Sequence, residues 1–197
     1  MTDFLVPLDQ YLACGVHIGT RQSSGDMRRY VYKIRDDGLN VLNVRITDTK
    51  IRAAANLIAR YEPDRVLVVS TRQYGVKPVK TFAEITGAFA ISGRFVPGTL
   101  TNPQIKEFIE PKIVLITDPI GDIQVIKEAL KVKIPIVALC DTNNDTKYID
   151  LIIPANNKGK GSLALVYYLL AREILRARGE IAKDAELEYK VEDFQSD

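Results

Sequence analysis

Three short runs constrain the fold of this chain more than any other feature. Arg65-Val66-Leu67-Val68-Val69-Ser70, Lys112-Ile113-Val114-Leu115-Ile116-Thr117 and Pro135-Ile136-Val137-Ala138-Leu139-Cys140 are apolar, largely β-branched, and free of polar residues in their interiors. A run of this kind reads as a strand buried on both faces, the situation of a strand inside a parallel sheet. Ala88-Phe89-Ala90-Ile91 and Tyr148-Ile149-Asp150-Leu151-Ile152-Ile153 read as two briefer strands. Helical patterns separate them. One runs through Ile51, Ala54, Ala55 and Ile58, with Asp48 or Thr49 as its cap and Pro63 as its stop. Another spans about Val76 to Ile85 with Pro78 in the first turn, and a third covers 120–131. The last, Ser162 to Arg178, is apolar at Leu163, Val166, Tyr167, Leu170 and Ile174 and ends at Gly179.

Buried strands alternating with amphipathic helices predict an α/β fold, a three-layer doubly wound parallel sheet of about five core strands joined by crossovers. That strand number suits a flavodoxin-like sheet better than a full dinucleotide-binding one. The 197 residues fit a single domain, with 1–35 and 180–197 expected as extensions from it. No apolar run reaches the ~18 residues of a membrane helix and no signal-peptide pattern opens the chain. Cys14 and Cys140 are too few for a disulfide framework and make no metal cluster with the single His17. A reducing cytoplasm is the expected home.

In a doubly wound sheet, ligands bind beyond the carboxyl ends of the strands, here Ser70-Thr71-Arg72, Thr117-Asp118-Pro119 and Asp141-Thr142-Asn143-Asn144-Asp145. The fingerprints of enzyme chemistry fail there. No G-x-G-x-x-G follows a strand, which leaves dinucleotide binding unsupported. Gly93 and Gly98 have the separation of a phosphate loop, but Thr99 stands where a lysine must neutralise phosphate. Asp141, Asn143 and Asp145 imitate half a calcium loop, yet Thr146 replaces its glycine and Ile152 its bidentate glutamate. His17 is far from any nucleophile-elbow sequence. Asp118 and Asp141 could pair as acid and base, although carboxylates at strand ends more often cap the next helix. No catalytic residue, metal site or cofactor is expected.

Charge points elsewhere. The chain is +2 overall, but residues 180–197 hold seven acids against two lysines, so the body is basic and the tail acidic. Thr20 to Arg35 carries Arg21, Arg28, Arg29, Lys33 and Arg35 against the single acid Asp26, with Tyr30 and Tyr32 interleaved. Cations beside aromatic faces suit RNA, offering phosphate charge and stacking together. Just before it, Gly15-Val16-His17-Ile18-Gly19 sets the only histidine between two glycines at close-approach spacing. A second basic site, Asn156-Asn157-Lys158-Gly159-Lys160-Gly161, precedes the last helix, whose N-terminus favours anions. A constrained, chemically inert stretch, Gly93-Arg94-Phe95-Val96-Pro97-Gly98-Thr99-Leu100-Thr101-Asn102-Pro103, suits holding a shape against a partner. In the tail, Leu187, Tyr189 and Val191 alternate with charges, the pattern of a strand able to pair with a sheet edge. The tail is expected to be mobile in the free protein and to dock on a basic neighbouring protein, the alternative being a tail that packs on its own domain or stays disordered.

Gly15-Val16-His17-Ile18-Gly19, the 92–103 stretch, Thr117-Asp118-Pro119, Ala138-Leu139-Cys140-Asp141-Thr142 and Ile153-Pro154-Ala155-Asn156-Asn157-Lys158-Gly159 occur in an order that resembles the universal small-subunit ribosomal protein S-two family, over about 8–179. Bacterial members carry a long coiled-coil insertion where this chain has only Gln104 to Glu110, so it looks like the archaeal and eukaryotic branch. The resemblance implies a cytoplasmic, non-enzymatic constituent of the small ribosomal subunit near the head–body junction. Small-subunit rRNA and neighbouring ribosomal proteins would be its partners, with no membrane and no small-molecule substrate. Charge and loop placement nominate Arg21, Arg28, Arg29, Lys33, Arg94, Lys158 and Lys160 as RNA contacts. Two other classes remain open on residues alone: a nucleotide or sugar-phosphate binder acting at the strand ends, and a protein-only scaffold.

Overall fold

The computed structural model describes residues 4–182, 185 and 187–196. Asp184, Glu186 and Asp197, three acids of the expected tail, lie outside them. In chain order the elements are α1 (Leu8–Ala13), β1 (Val31–Ile34), β2 (Asn40–Leu42), α2 (Val44–Ile58), β3 (Val66–Ser70), α3 (Val76–Thr86), β4 (Phe89–Ser92), β5 (Ile113–Ile116), α4 (Ile123–Lys131), β6 (Ile136–Cys140), β7 (Leu151–Pro154) and α5 (Lys160–Arg178). β3 to β7 form a five-stranded parallel sheet in the order β4-β3-β5-β6-β7, while β1 and β2 make a separate antiparallel hairpin. The order reverses between β3 and β5, as in a flavodoxin-like doubly wound sheet.

The three apolar runs become β3, β5 and β6, each buried at every position because both faces are covered. Val66, Val68, Ile113, Leu115, Val137 and Leu139 face α2, α3 and α5. Leu67, Val69, Val114, Ile116, Ala138 and Cys140 face the other way, where α4 is joined by Phe95, Leu100, Met27 and Tyr30 from irregular chain. The second layer is therefore only partly helical. The crossover from β4 to β5 has no helix in it, and the 93–110 stretch packs in its place.

That stretch is held by one buried carboxylate. Glu128 on α4 is 2% exposed. Its Oε1 accepts from the Gly98 N–H at 2.7 Å and the Gln124 amide at 2.8 Å, and its Oε2 from the Leu100 N–H at 3.1 Å. Gly98 sits at φ 101°, a left-handed conformation that favours glycine. Removing the carboxylate strands the buried Leu100 N–H and the half-buried Gly98 N–H. Glu128→Ala is expected to lower the unfolding free energy by about 2–4 kcal/mol. Amide exchange should quicken first at Gly98 and Leu100, and unchanged protection there would contradict this tie.

Two sequence expectations are corrected. α2 begins before Asp48, because Asn43 caps it by accepting from the Arg45 N–H at 3.1 Å. Asp48 turns inward instead, accepting from the Leu5 N–H at 2.7 Å, the Tyr11 hydroxyl at 2.9 Å and Arg52 Nε at 2.9 Å. Arg172 on α5 donates to the Leu5 carbonyl at 2.8 Å, so residues 4–11 are tied down from two helices. The described part of the tail, for its part, forms no strand. Val191–Phe194 makes a 3-10 turn, with the Asp193 carboxylate accepting from the Lys190 N–H at 2.7 Å. Phe194 is fully buried and meets Tyr168 of α5 edge-to-face, 5.9 Å between ring centroids.

Candidate nucleic-acid interface

The expected basic stretch is neither loose nor remote from the sheet. Its Asp26–Tyr30 segment is a 3-10 helix, in which side chains three apart share a face. Met27 and Tyr30 take the inner face and are buried in the second core. Arg28 and Arg29 are thereby turned outward into solvent. Tyr30 is thus unavailable as a stacking surface, whereas Tyr32, two residues on, is 69% exposed. Arg29 lies 5.9 Å from the Tyr30 ring centroid and donates through Nε to the Asp26 carbonyl at 3.1 Å. The 3-10 turn thus sets one guanidinium and leaves the Arg28 one open.

Thr142, just past the end of β6, fixes the start of this stretch. Its hydroxyl accepts from the Thr20 N–H at 2.8 Å and donates to the Gln22 carbonyl at 3.0 Å, and its own carbonyl accepts from the Ser24 N–H at 2.8 Å. Gly19 makes this approach possible. A Cβ there would lie 2.5 Å from Thr142 Cγ2 and 2.8 Å from the Asn40 carbonyl oxygen, closer than atoms can come. The 17–20 backbone pairs along β2, with Gly19 N–H donating to Asn40 at 2.9 Å and Leu42 N–H donating to His17 at 2.8 Å. The Asn156 side chain then joins the two glycine-rich motifs. It donates to the Gly15 carbonyl at 3.1 Å and accepts from the Lys158 and Gly159 N–H groups, each at 3.0 Å.

Arg21, Arg28, Arg29, Lys33, Arg94 and Lys160 are exposed. No carboxylate pairs with any of them among the described residues. Lys158 is different: its ammonium bonds Asp141 at 2.5 Å and Asn143 at 2.8 Å, so part of its charge is spent locally. Parallel strands put the loops after β4, β6 and β7 on one rim, and Thr142 ties the Thr20–Ser24 segment to it. Arg94 follows β4 at one edge and Lys158 follows β7 at the other, about 19 Å apart at four strand spacings. The structure therefore gathers the Gly15–Arg29 and Asn156–Lys160 cations at the β6–β7 side and leaves Arg94 on the far side.

Between them, the crevice that would take a metabolite is filled by the protein itself. Asp118, 1% exposed, is bonded by Arg72 at 2.6 Å and by the Asn144 amide at 3.0 Å. It also accepts from the Ile120 and Gly121 N–H groups, both at 3.2 Å, so it closes the turn ahead of α4 and does not cap the helix itself, which starts at Ile123. Asn157 donates to Asn144 Oδ1 at 3.0 Å and to the Leu139 carbonyl at 3.1 Å. Asp122 accepts from the Thr71 and Asp118 N–H groups; burial pushes its carboxyl up to about 6, against those bonds, which pull it down. Burial also raises the Cys140 thiol, making it a poor nucleophile, and lowers the His17 imidazole. Among the described residues, no group of histidine, cysteine and carboxylate side chains could hold a metal, and no helix is long and apolar enough to cross a membrane.

Sequence reasoning singled out the cations, named Arg72, Thr142 and Asn144 only as strand-end positions and passed over Glu128; these four hold the loops around the cations. The partners that matter lie 26 to 122 residues away, beyond any local pattern. A profile of the family described as ribosomal protein S2 matches residues 11–110 and 104–177. The chain is 53% identical over 194 residues to the small ribosomal subunit protein uS2 of Thermoplasma acidophilum, covering 98% of each. It is 52% identical over 194 residues to that of Thermoplasma volcanium, again covering 98% of each. With the uS2 of Methanoregula boonei it shares 54% identity over 175 residues, 89% of this chain and 86% of the other. These relatives are archaeal, in keeping with the short 104–110 connection. Near full-length matches at this identity, on a flavodoxin-like sheet whose strand-end crevice is self-filled, place the chain firmly: it belongs to the ribosomal protein S2 family.

Proposed function

We propose that this chain is a structural constituent of the small ribosomal subunit, binding small-subunit rRNA and neighbouring ribosomal proteins near the head–body junction of the cytoplasmic ribosome. Its family is one of structural proteins and not of enzymes. The observation that carries the RNA reading is the Met27–Tyr30 anchor, which holds Arg28 and Arg29 outward on a fixed backbone beside exposed Arg21 and Lys33. Fixed cations on a rigid rim recognise the shape of a folded RNA through its phosphates. Arg94 and Lys160 extend the rim, and Lys158 contributes with the charge that Asp141 leaves uncompensated. The head–body position is supported by the family resemblance alone.

Reversing both Arg28 and Arg29 to glutamate is expected to abolish incorporation into small subunits while the isolated protein keeps its fold. Exposed charges contribute ~0–1 kcal/mol to stability, so the loss would be one of binding. Affinity of the wild-type protein for rRNA should fall with salt by a log–log slope of roughly 0.7–0.9 per phosphate neutralised. Sedimentation of the charge-reversed protein with subunits at wild-type levels would overturn the assignment.

A further inference from the structure

A groove of about 680 Å³ opens between α1, the β1–β2 hairpin and the first turn of α2. Leu8 and Leu12, one turn apart on α1 and 43% and 42% exposed, give it an apolar wall. Tyr32 stands over it as the most exposed aromatic of the chain's described exterior, and Lys33 and Arg45 flank it without carboxylate partners among the described residues. Arg35, also on the rim, is paired with Asp37 at 3.3 Å. No acid lines the groove among the described residues. His17, from the glycine-flanked motif, also lines it, its imidazole lowered by burial and its buried Nδ1 left without a hydrogen-bond partner among the described residues.

An apolar wall, an aromatic face and a cationic rim form a place for something flat, weakly polar and attached to negative charge. We infer that this groove takes one unstacked nucleotide of the bound RNA, its base on Tyr32 and its phosphate between Lys33 and Arg45. The inference rests on the RNA reading above and adds a base-sized subsite to it. The volume lies in the ~300–1,000 Å³ range of sites for small-molecule-sized groups. A partner helix would need anchors repeating along a longer apolar trough. Here the exposed apolar wall is a single turn of a six-residue helix. The groove is also continuous with the basic stretch, because Lys33 belongs to both.

Small subunits carrying wild-type, Tyr32→Ala or Tyr32→Phe protein separate the outcomes. Stacking on one aromatic is worth ~1–3 kcal/mol, so Tyr32→Ala should leave the subunit roughly tenfold to hundredfold faster in a salt wash. Tyr32→Phe, which keeps the ring, should stay within about twofold of wild type. Ultraviolet irradiation of wild-type subunits should put a nucleotide adduct on the peptide containing Tyr32. Release of Tyr32→Ala at the wild-type rate would overturn the inference. A carbodiimide crosslink from Lys33 to a carboxylate of a neighbouring protein, in place of the adduct, would overturn it in favour of a protein occupant. Wild-type protein that fails to sediment with subunits at all would instead sink the underlying RNA reading.

Discussion

Replacing Asp118 by alanine is expected to lower the unfolding free energy by about 3–5 kcal/mol, a large share of the roughly 5–15 kcal/mol that holds a domain together. The carboxylate is 1% exposed and is the common acceptor for Arg72, Asn144 and two backbone N–H groups. Alanine leaves all of them unpaired at the carboxyl end of β5, with a guanidinium among them. Arg72→Ala should cost distinctly less, about 1–3 kcal/mol. The Arg72 side chain is 31% exposed, and Asp118 would keep its remaining donors. Urea unfolding of both variants, followed by circular dichroism because the chain has no tryptophan, measures the difference. Equal small losses would show that the strand-end network contributes little and that the crevice is free for another use.

A second large loss is expected at the other end of the chain. Phe194→Ala removes a fully buried ring from the notch beside Tyr168 and should cost up to about 3–5 kcal/mol, limited by the free energy with which the tail docks. Because Phe194 is the deepest side chain of that segment, deleting residues 187–197 should cost nearly the same as the single substitution. In the Phe194→Ala variant residues 187–196 and the α5 surface around Tyr168 should lose amide protection together, and in the deletion that same α5 surface should lose it. A deletion much more damaging than Phe194→Ala would place the anchor elsewhere, at Leu187 or Val191, which also pack against this core. The tail of the free protein would then be held by several weak contacts and not by one.

The framework of the sheet was legible because burial on both faces writes itself into consecutive residues. The runs that became β3, β5 and β6 needed no partner to be recognised, and Gly179 marked the end of α5 correctly, whereas α2 ends at Ile58, short of Pro63. Misreadings arose where a residue type has two roles. Asp48 has the chemistry of a helix cap, but Tyr11 and Leu5 offer it buried donors, and Asn43 was equally suited to cap. Leu187, Tyr189 and Val191 alternate as a strand does, yet a hydrogen-bonded turn from Lys190 to Asp193 bends the chain so that Phe194 can enter the core. The basic stretch showed its charge but not its posture. Met27 and Tyr30, three apart, are the only local sign that one face goes inward, and two residues make no period. The holding roles of Glu128 and Thr142 had no local sign, since the backbone they secure at Gly98, Leu100, Thr20 and Gln22 lies across the fold.

The irregular crossover has a bearing on how this architecture tolerates growth. Thr99 and Ile109 are joined across its base by a 3.0 Å hydrogen bond, and Glu128 pins the turn at Gly98 and Leu100. What lies between, around Gln104 to Glu107, is largely exposed and carries no core side chain. Chain added there leaves and re-enters through a clasp that is already closed. Doubling the length of such a loop costs only about 0.6 kcal/mol in closure entropy. The fold thus has a built-in port at which lineages can graft whole new elements while the sheet and its cationic rim stay in register.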